Sequence, residues 1–187
     1  NELNLINRAI NITENKKVAK NDSLLTSMDG KYLHEINQKE KIAEKLACKL
    51  FQDLINGLEY LHNQNISIRD LSASCLFLDN NLDLKICKFN TAKFYDEKGG
   101  AKLLDTPVCT LQFSAPEIIL GKGYHGLFSD LWSAGVILYF ILTGKLPFYS
   151  ENDEISISKI TNNDYEIPEH VSDSAKDLIR KILQKDY

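Results

Sequence analysis

The spacing of apolar residues predicts a mainly helical chain. Residues 40–64 form the clearest segment, because leucines recur there at three- and four-residue steps and would line one side of an amphipathic helix. These leucines are Leu46, Leu50, Leu54, Leu58 and Leu61. The stripe they form is typical of a helix packed on a core. Further helices are predicted over 130–143 and 172–184, with a polar stretch near 152–160 between them.

Residues 66–86 have strand character instead. Cys75–Leu78 and Leu82–Ile86 are short apolar runs, and the turn-forming residues Asp79-Asn80-Asn81 separate them. The pattern therefore predicts two short strands joined by a tight turn.

The remaining segments carry weaker patterns. Residues 2–9 have the spacing of a helix end, and 10–29 predict two short strands with turns. A helical pattern begins at Gly30 and runs through Ile36. Residues 94–113, with Gly99-Gly100, predict a long loop, which in a compact domain is usually functional. No repeat or linker divides the chain, so one mainly helical unit is expected.

Composition narrows the class of protein. The 187 residues suffice for one domain with a sizeable core, and 43% apolar with 26% charged residues is typical of a globular protein. A net charge of −4 argues against a nucleic acid or a membrane surface as the main partner. The apolar run 131–143 is interrupted by Ser133 and Gly135 and is short for a membrane span, so a buried helix is predicted.

The four cysteines show neither a C-x-x-C pair nor the spacing of a metal site, and each has apolar neighbours. Buried, reduced thiols are therefore expected. Reduced thiols and the lack of a recognisable signal peptide at Asn1 predict an intracellular protein, most simply a cytoplasmic one.

Four segments carry the functional signal. They are Ile68-Arg69-Asp70-Leu71, Lys88-Phe89-Asn90 eighteen residues beyond Asp70, Ala115-Pro116-Glu117, and the run Asp-Leu-Trp-Ser-Ala-Gly that begins at Asp130. In this order they resemble the catalytic loop His-Arg-Asp-Leu, the Asp-Phe-Gly and Ala-Pro-Glu triplets, and the Asp-x-Trp-Ser-x-Gly helix start of protein kinases. The sequences of residues 57–62 and 175–180 are most similar to those of Ser/Thr kinases of the calmodulin-dependent or AMP-activated type.

The resemblance implies an α+β protein-kinase-like fold, with a mainly helical large lobe and a remnant of the β-rich small lobe. Residues 1–28 would form the end of the small lobe and the hinge, and residues 29–187 the large lobe, truncated at both ends. The strands that carry the family's Gly-rich loop and its lysine would precede Asn1. Glu2 falls at the family's ion-pair glutamate, although an exposed helix-end glutamate is an equal alternative. The arginine that pairs with Glu117 would follow Tyr187.

The residues of the catalytic site depart from the family pattern. Asp70 matches the catalytic base, which accepts or orients the proton of the substrate hydroxyl. Ser72 stands where the family has a lysine that steadies the transferred phosphate. Cys75 replaces the asparagine that binds the second Mg²⁺, and Lys88 replaces the aspartate that anchors both metal ions. No metal site is therefore expected, and a catalytically impaired domain is predicted.

Nucleotide binding stays open at this stage. The Lys88 ammonium could replace Mg²⁺ and pair with nucleotide phosphates, or it could point to solvent or pair with Asp70. Phe77 stands where the family has an aliphatic residue that forms the floor of the adenine pocket. Its ring could stack on the base or fill part of the nucleotide pocket, and filling is favoured. Leu24 falls at the rear of that pocket, with plain core packing as the alternative. ATP is thus a possible ligand, without Mg²⁺.

Other positions resemble structural or regulatory parts of the family. Ile68 replaces the family histidine and, with Phe89, would keep an apolar column through the site. Asn90 replaces a glycine that tolerates unusual backbone angles. Thr106 matches an activation-segment phosphorylation site whose phosphate Arg69 would bind, or is an ordinary loop hydroxyl.

Two more residues complete this set. Thr110 matches the threonine that bonds the catalytic aspartate. Asp130 resembles a buried carboxylate that accepts N–H bonds from the catalytic loop.

Three functions follow from this pattern. The favoured one is an impaired pseudokinase acting as a scaffold or allosteric regulator. The alternatives are an active Ser/Thr protein kinase and a nucleotide-sensing module without transfer. The expected partners are proteins, such as another kinase or a substrate protein, and neither nucleic acid nor membrane.

Overall fold

The computed structural model describes residues 30–37, 42–94, 104 and 110–185. In these ranges the α-helices are α1 (Leu33–Asn37), α2 (Glu44–His62), α3 (Pro116–Ile119), α4 (Gly126–Thr143), α5 (Asp153–Asn162) and α6 (Asp173–Ile182). The strands are β1 (Gly30–Tyr32), β2 (Ile66–Ser67), β3 (Leu76–Asp79), β4 (Leu84–Ile86) and β5 (Lys93–Phe94). Short 3₁₀ turns span Ala73–Cys75 and Leu111–Phe113. Helices thus dominate, as predicted, and the strands of the described ranges all lie between Gly30 and Phe94.

Helix α2 packs its predicted leucine stripe against the core. Leu50, Leu54, Leu58 and Leu61 are buried, whereas Leu46 is half-buried. The helix contacts both α4 and strand β4. It therefore packs against β4, the strand that leads to the Lys88 motif.

Strands β1, β3 and β4 form an antiparallel sheet in the order β1-β3-β4. The β3–β4 pair is the predicted hairpin, with Leu76 opposite Ile86 and Leu78 opposite Leu84. At its turn, the Asp79 carboxylate accepts hydrogen bonds from the backbone N–H groups of Asn81 and Asp83, each at 3.0 Å. The Lys85 ammonium lies 2.8 Å from the same carboxylate. Burial acts to raise the pKa of Asp79, but these donors outweigh it, so the pKa lies below its ordinary value.

The helical prediction from Gly30 was wrong for its first three residues. Gly30–Tyr32 is strand β1, paired with β3, and the helix begins at Leu33. A side chain at Gly30 would meet the Leu78 carbonyl and the Phe77 ring. Glycine therefore allows β1 to lie close to β3, and cross-strand pairing overrides the local helical pattern.

Helix α4 is the central buried helix. It begins at Gly126, four residues before the predicted start, and Trp132 stacks on Phe148 with ring centroids 5.6 Å apart. At 18 residues it is, within the described residues, long and apolar enough to pass a length-and-composition test for a membrane span. However, 78% of that stretch is buried inside the protein. This burial agrees with the predicted core helix, although the helix is longer than the sequence indicated.

The prediction of buried thiols is correct for Cys75 and Cys87 and wrong for Cys48. Cys48 lies on the exposed side of α2, because its position in the helix faces away from the leucine stripe. Cys109 lies outside the described residues.

Candidate functional site

The loop between β2 and β3 carries Asp70, the residue predicted from the sequence to match the family's catalytic base. Asp70 is half-buried, and the backbone N–H of Thr110 donates a hydrogen bond of 2.7 Å to its Oδ1. The structure thus brings together two residues that the sequence singled out. The donor is the Thr110 backbone N–H, so the contact depends on the path of the backbone and not on the Thr110 side chain.

The residues before Asp70 connect it to the segment that follows the Lys88 motif. Arg69 has a left-handed backbone, with φ of 70°, and its Nε donates to the Thr91 carbonyl at 2.6 Å. The Thr91 hydroxyl in turn donates to the Ile68 carbonyl at 2.8 Å. Ile68 itself is fully buried in the core. These two reciprocal bonds fasten the loop that carries Asp70 to the segment that directly follows the Lys88 motif.

A buried carboxylate holds the other side of this loop. Asp130, 1% exposed, accepts hydrogen bonds of 2.9 Å from the backbone N–H groups of both Ile68 and Arg69. His62 Nε2 lies 3.0 Å from its Oδ2. The first two are the bonds expected of Asp130 from the sequence. They satisfy donors that would otherwise be buried without partners.

Ser72 and Cys75 turn their polar atoms toward the protein. Ser72 is 4% exposed, and its Oγ lies 2.9 Å from Ser74 Oγ and 3.5 Å from Cys75 Sγ. The Cys75 thiol donates to the Asp70 carbonyl at 3.4 Å. These positions therefore stabilise the loop internally, and neither supplies the ammonium or the amide that the family has there.

Lys88 takes a position that none of the sequence alternatives described. Its Nζ lies 4.6 Å from the centroid of the Tyr32 ring, a cation–π contact. Within the described part of the chain Lys88 makes no ion pair, so the pairing with Asp70 is wrong. The ammonium instead uses the Tyr32 ring of β1 as its counterpart; β1 pairs with β3, and β3 pairs with β4, the strand that precedes the motif.

The backbone of the motif also differs from expectation. Lys88 has φ of 63°, whereas Asn90 is not among the described residues with positive φ. The expectation that Asn90 takes over an unusual glycine conformation was therefore wrong. The unusual conformation lies two residues earlier, at the residue whose side chain contacts Tyr32.

Phe77 packs against Tyr32, the ring that Lys88 contacts. It is 3% exposed, packs against Cys87, and meets Tyr32 edge-to-face with ring centroids 5.6 Å apart. A ring held in this way fits the pocket-filling alternative better than stacking on a base. Phe89 is half-buried and packs on the main core.

Glu117 is a half-buried carboxylate for which the described residues supply no cation. Burial raises its pKa above the ordinary 4.5, and hydrogen bonding to its own backbone N–H offsets only part of the effect.

Three of the predicted positions lie outside the described residues: Glu2, Leu24 and Thr106. The ion-pair, pocket and phosphorylation roles stay predictions. The sequence analysis did not single out Tyr32, Thr91 or Cys87. Tyr32 lies far from Lys88 along the chain, and no local pattern indicates such a contact.

The family implied by the sequence uses Mg²⁺, and the residues present do not fit that ion. Mg²⁺ requires hard oxygen ligands in octahedral geometry. Here the two ligand positions carry a thiol that donates to a carbonyl and an ammonium that contacts an aromatic ring. The described residues also contain no cluster of three or more His, Cys, Asp or Glu side chains that could hold a metal ion.

Comparison with known proteins agrees with the fold and the motifs. The protein kinase domain family matches residues 4–187. CBL-interacting protein kinase 17 of Oryza sativa is 38% identical over 155 residues, which are 83% of this chain and 34% of that protein. CBL-interacting serine/threonine-protein kinase 20 of Arabidopsis thaliana is 38% identical over 154 residues, 82% of this chain and 35% of the relative.

A third similar protein is the probable serine/threonine-protein kinase HSL1 of Saccharomyces cerevisiae, 37% identical over 162 residues, 86% of this chain and 10% of the relative. The chain spans about a third of the length of the plant relatives. The four motifs in order, the α+β fold and these matches lead to one conclusion: this chain belongs to the protein kinase domain family, and its relatives are Ser/Thr kinases.

Proposed function

We propose that this chain is part of a Ser/Thr-kinase-like domain that has lost most or all of its phosphoryl transfer and acts on other proteins as a scaffold or allosteric regulator. Residues 29–187 would be the large lobe, and residues 1–28 the end of the small lobe and the hinge. The observation that carries the proposal is Lys88, whose ammonium contacts Tyr32 at the position where the family has its metal-anchoring carboxylate.

The electrostatic argument rests on what phosphoryl transfer requires. The protein must position ATP and neutralise the charge that develops on the transferred group, chiefly through Mg²⁺ and a lysine. Ser72 brings no charge to that task, and the Cys75 thiol is a poor ligand for a hard cation. Removal of one such group costs about two to three orders of magnitude in rate, and losses at one site are not additive. Asp70 can still accept a proton, but proton transfer alone does not stabilise the charge that develops on the transferred phosphate.

The supporting structure around the site is retained, and this favours a binding role over simple decay. Asp130 still holds the N–H groups of Ile68 and Arg69, and Thr110 still bonds Asp70. A fold that keeps these bonds around a site with altered charges can present a defined surface to a partner. Two plant relatives are named for an interaction with CBL. For this chain we propose only a protein partner, such as another kinase or a substrate protein.

The test is transfer of the γ-phosphate by the full-length protein to generic protein substrates, with Mg²⁺ and with Mn²⁺. We expect the same rate from the wild type and from Asp70→Asn. A restored variant, Ser72→Lys with Cys75→Asn and Lys88→Asp, is the positive comparison, and Asp70→Asn in that background is its matched control. Transfer by the wild type that Asp70→Asn abolishes would overturn the proposal in favour of an active kinase. ATP binding without turnover would favour the nucleotide-sensing alternative.

A further inference from the structure

Two cysteines face each other at the open end of the β3–β4 hairpin. The hairpin pairs Leu76 with Ile86, so the next residues outward, Cys75 and Cys87, are directly opposite. The register continues to them, because the Cys87 backbone N–H donates to the Cys75 carbonyl at 2.8 Å. Cys75 stands at the position of the family's metal-binding asparagine, and Cys87 lies directly before Lys88.

The pairing geometry suits a disulfide. Cys75 ends the Ala73–Cys75 turn and Cys87 follows β4, so their pairing lies one residue beyond the strands and rests on the single bond from the Cys87 N–H. Residues opposite each other in an antiparallel ladder have Cα atoms about 4.5–5.5 Å apart, within the range of about 4.4–6.8 Å that a disulfide spans. The Cys87 thiol donates to the Cys75 carbonyl at 3.0 Å, whereas the Cys75 thiol donates to the Asp70 carbonyl and has to turn toward Cys87 for the bond to form.

The two thiols are shielded from solvent. Cys75 and Cys87 are 6% and 2% exposed, with Phe77 packed against Cys87 and the Asp70 carbonyl accepting from Cys75. A large thiol reagent therefore has little access, whereas a small oxidant needs only a local opening near Cys75. Cys48, in contrast, is exposed on α2 and is open to reaction between molecules.

We propose that Cys75 and Cys87 are a modification site, a dithiol that peroxide closes to a disulfide across the hairpin beside Asp70 and Lys88. The Cys75 sulfur, as its thiolate, attacks the O–O bond of hydrogen peroxide, and protonation of the leaving hydroxide gives water and a sulfenic acid. The Cys87 sulfur then forms the S–S bond and displaces a second water. Two thiols are oxidised by two electrons in total, and one peroxide is reduced to two waters.

Closure of this bond would change the site. It removes the thiol hydrogen that the Asp70 carbonyl accepts, and it ties the residue before Lys88 to the loop that carries Asp70. The inference does not depend on the loss of phosphoryl transfer, because it uses only the register and the two thiols.

The experiment uses the full chain with Cys48→Ser, which removes the exposed thiol. The folded protein is treated with hydrogen peroxide, the remaining thiols are alkylated after denaturation, and the peptides are mapped by mass spectrometry. We expect a loss of about 2 Da, a linked peptide pair containing Cys75 and Cys87, and reversal by dithiothreitol. The same oxidation in urea is the control, and it should give mixed pairings that include Cys109.

Cys75→Ser and Cys87→Ala should each abolish the linked pair. The principal result is obtained on the native cysteines, so it does not require either variant to fold. If both thiols stay open to alkylation after peroxide treatment of a cooperatively folded protein, the proposal is wrong. Linkage of either cysteine to Cys109 in preference to its hairpin neighbour would overturn it as well.

Discussion

The Lys88 ammonium lies over the Tyr32 ring, 4.6 Å from its centroid, and joins the altered motif to strand β1. A contact of this kind at a half-buried site contributes about 0.5–2 kcal/mol to stability. Lys88→Met and Tyr32→Leu are therefore expected to show a coupling energy of that size in a double-mutant cycle measured by urea unfolding. Tyr32 also packs on Phe77, so only the cycle isolates the cation–π part. Lys88→Arg is the control that should keep the coupling, and a coupling near zero would contradict the contact.

Any stabilisation by ATP should be independent of Mg²⁺. The thermal unfolding midpoint at millimolar ATP is expected to be the same with excess Mg²⁺ as with EDTA, because Cys75 and Lys88 cannot ligate the ion. A midpoint that rises with ATP in EDTA would support direct pairing of Lys88 with phosphates, and Lys88→Met should then remove the rise. A rise that requires Mg²⁺ would show that another residue supplies its ligands and would count against the proposed function.

Asp130→Asn should destabilise the protein by about 2–3 kcal/mol, because the amide cannot accept from both backbone N–H groups that the carboxylate satisfies. The measurement is the free energy of unfolding in urea. Asp164→Asn, at an exposed position, is the matched control and should change stability by less than about 0.5 kcal/mol. Equal effects at the two positions would mean that the bonds to Ile68 and Arg69 contribute little.

Glu117 should make the protein less stable as the pH rises. Burial raises its pKa above 4.5 in the folded state, so the folded protein binds its proton more tightly than the unfolded chain does. Stability then falls as the pH rises from about 4.5 through the folded-state pKa, and the cost stays constant above it. Glu117→Gln should thus be more stable than the wild type at pH 7, and the difference should vanish below about pH 4.

Urea unfolding at a series of pH values measures this difference in free energy. Glu154→Gln, at an exposed position, is the control and should show no such pH-dependent gain. A Glu117→Gln variant that is less stable at pH 7 would indicate that a cation pairs with the carboxylate in the native protein.

The helices and the hairpin could be predicted because their patterns are local. The leucine stripe of α2 and the turn residues at Asp79 each specify a structure within a few residues. The start of β1 could not be predicted in this way, because Gly30 lies in a strand only through its pairing with β3. Cys48 illustrates the same limit, since its apolar neighbours in sequence lie on a different face of the helix.

The candidate site divides in the same way. The spacing of Asp70, Ser72, Cys75 and Lys88 indicated a kinase-like site with altered charges, and the residue types alone argue against Mg²⁺. The placement of Lys88 over Tyr32, the bond from Thr110 to Asp70 and the facing thiols involve residues far apart along the chain. The sequence by itself determined the family and the missing ligands, because both are properties of residue identity and spacing. Only the tertiary structure decided which partner each side chain takes, because that depends on which strands and loops pack together.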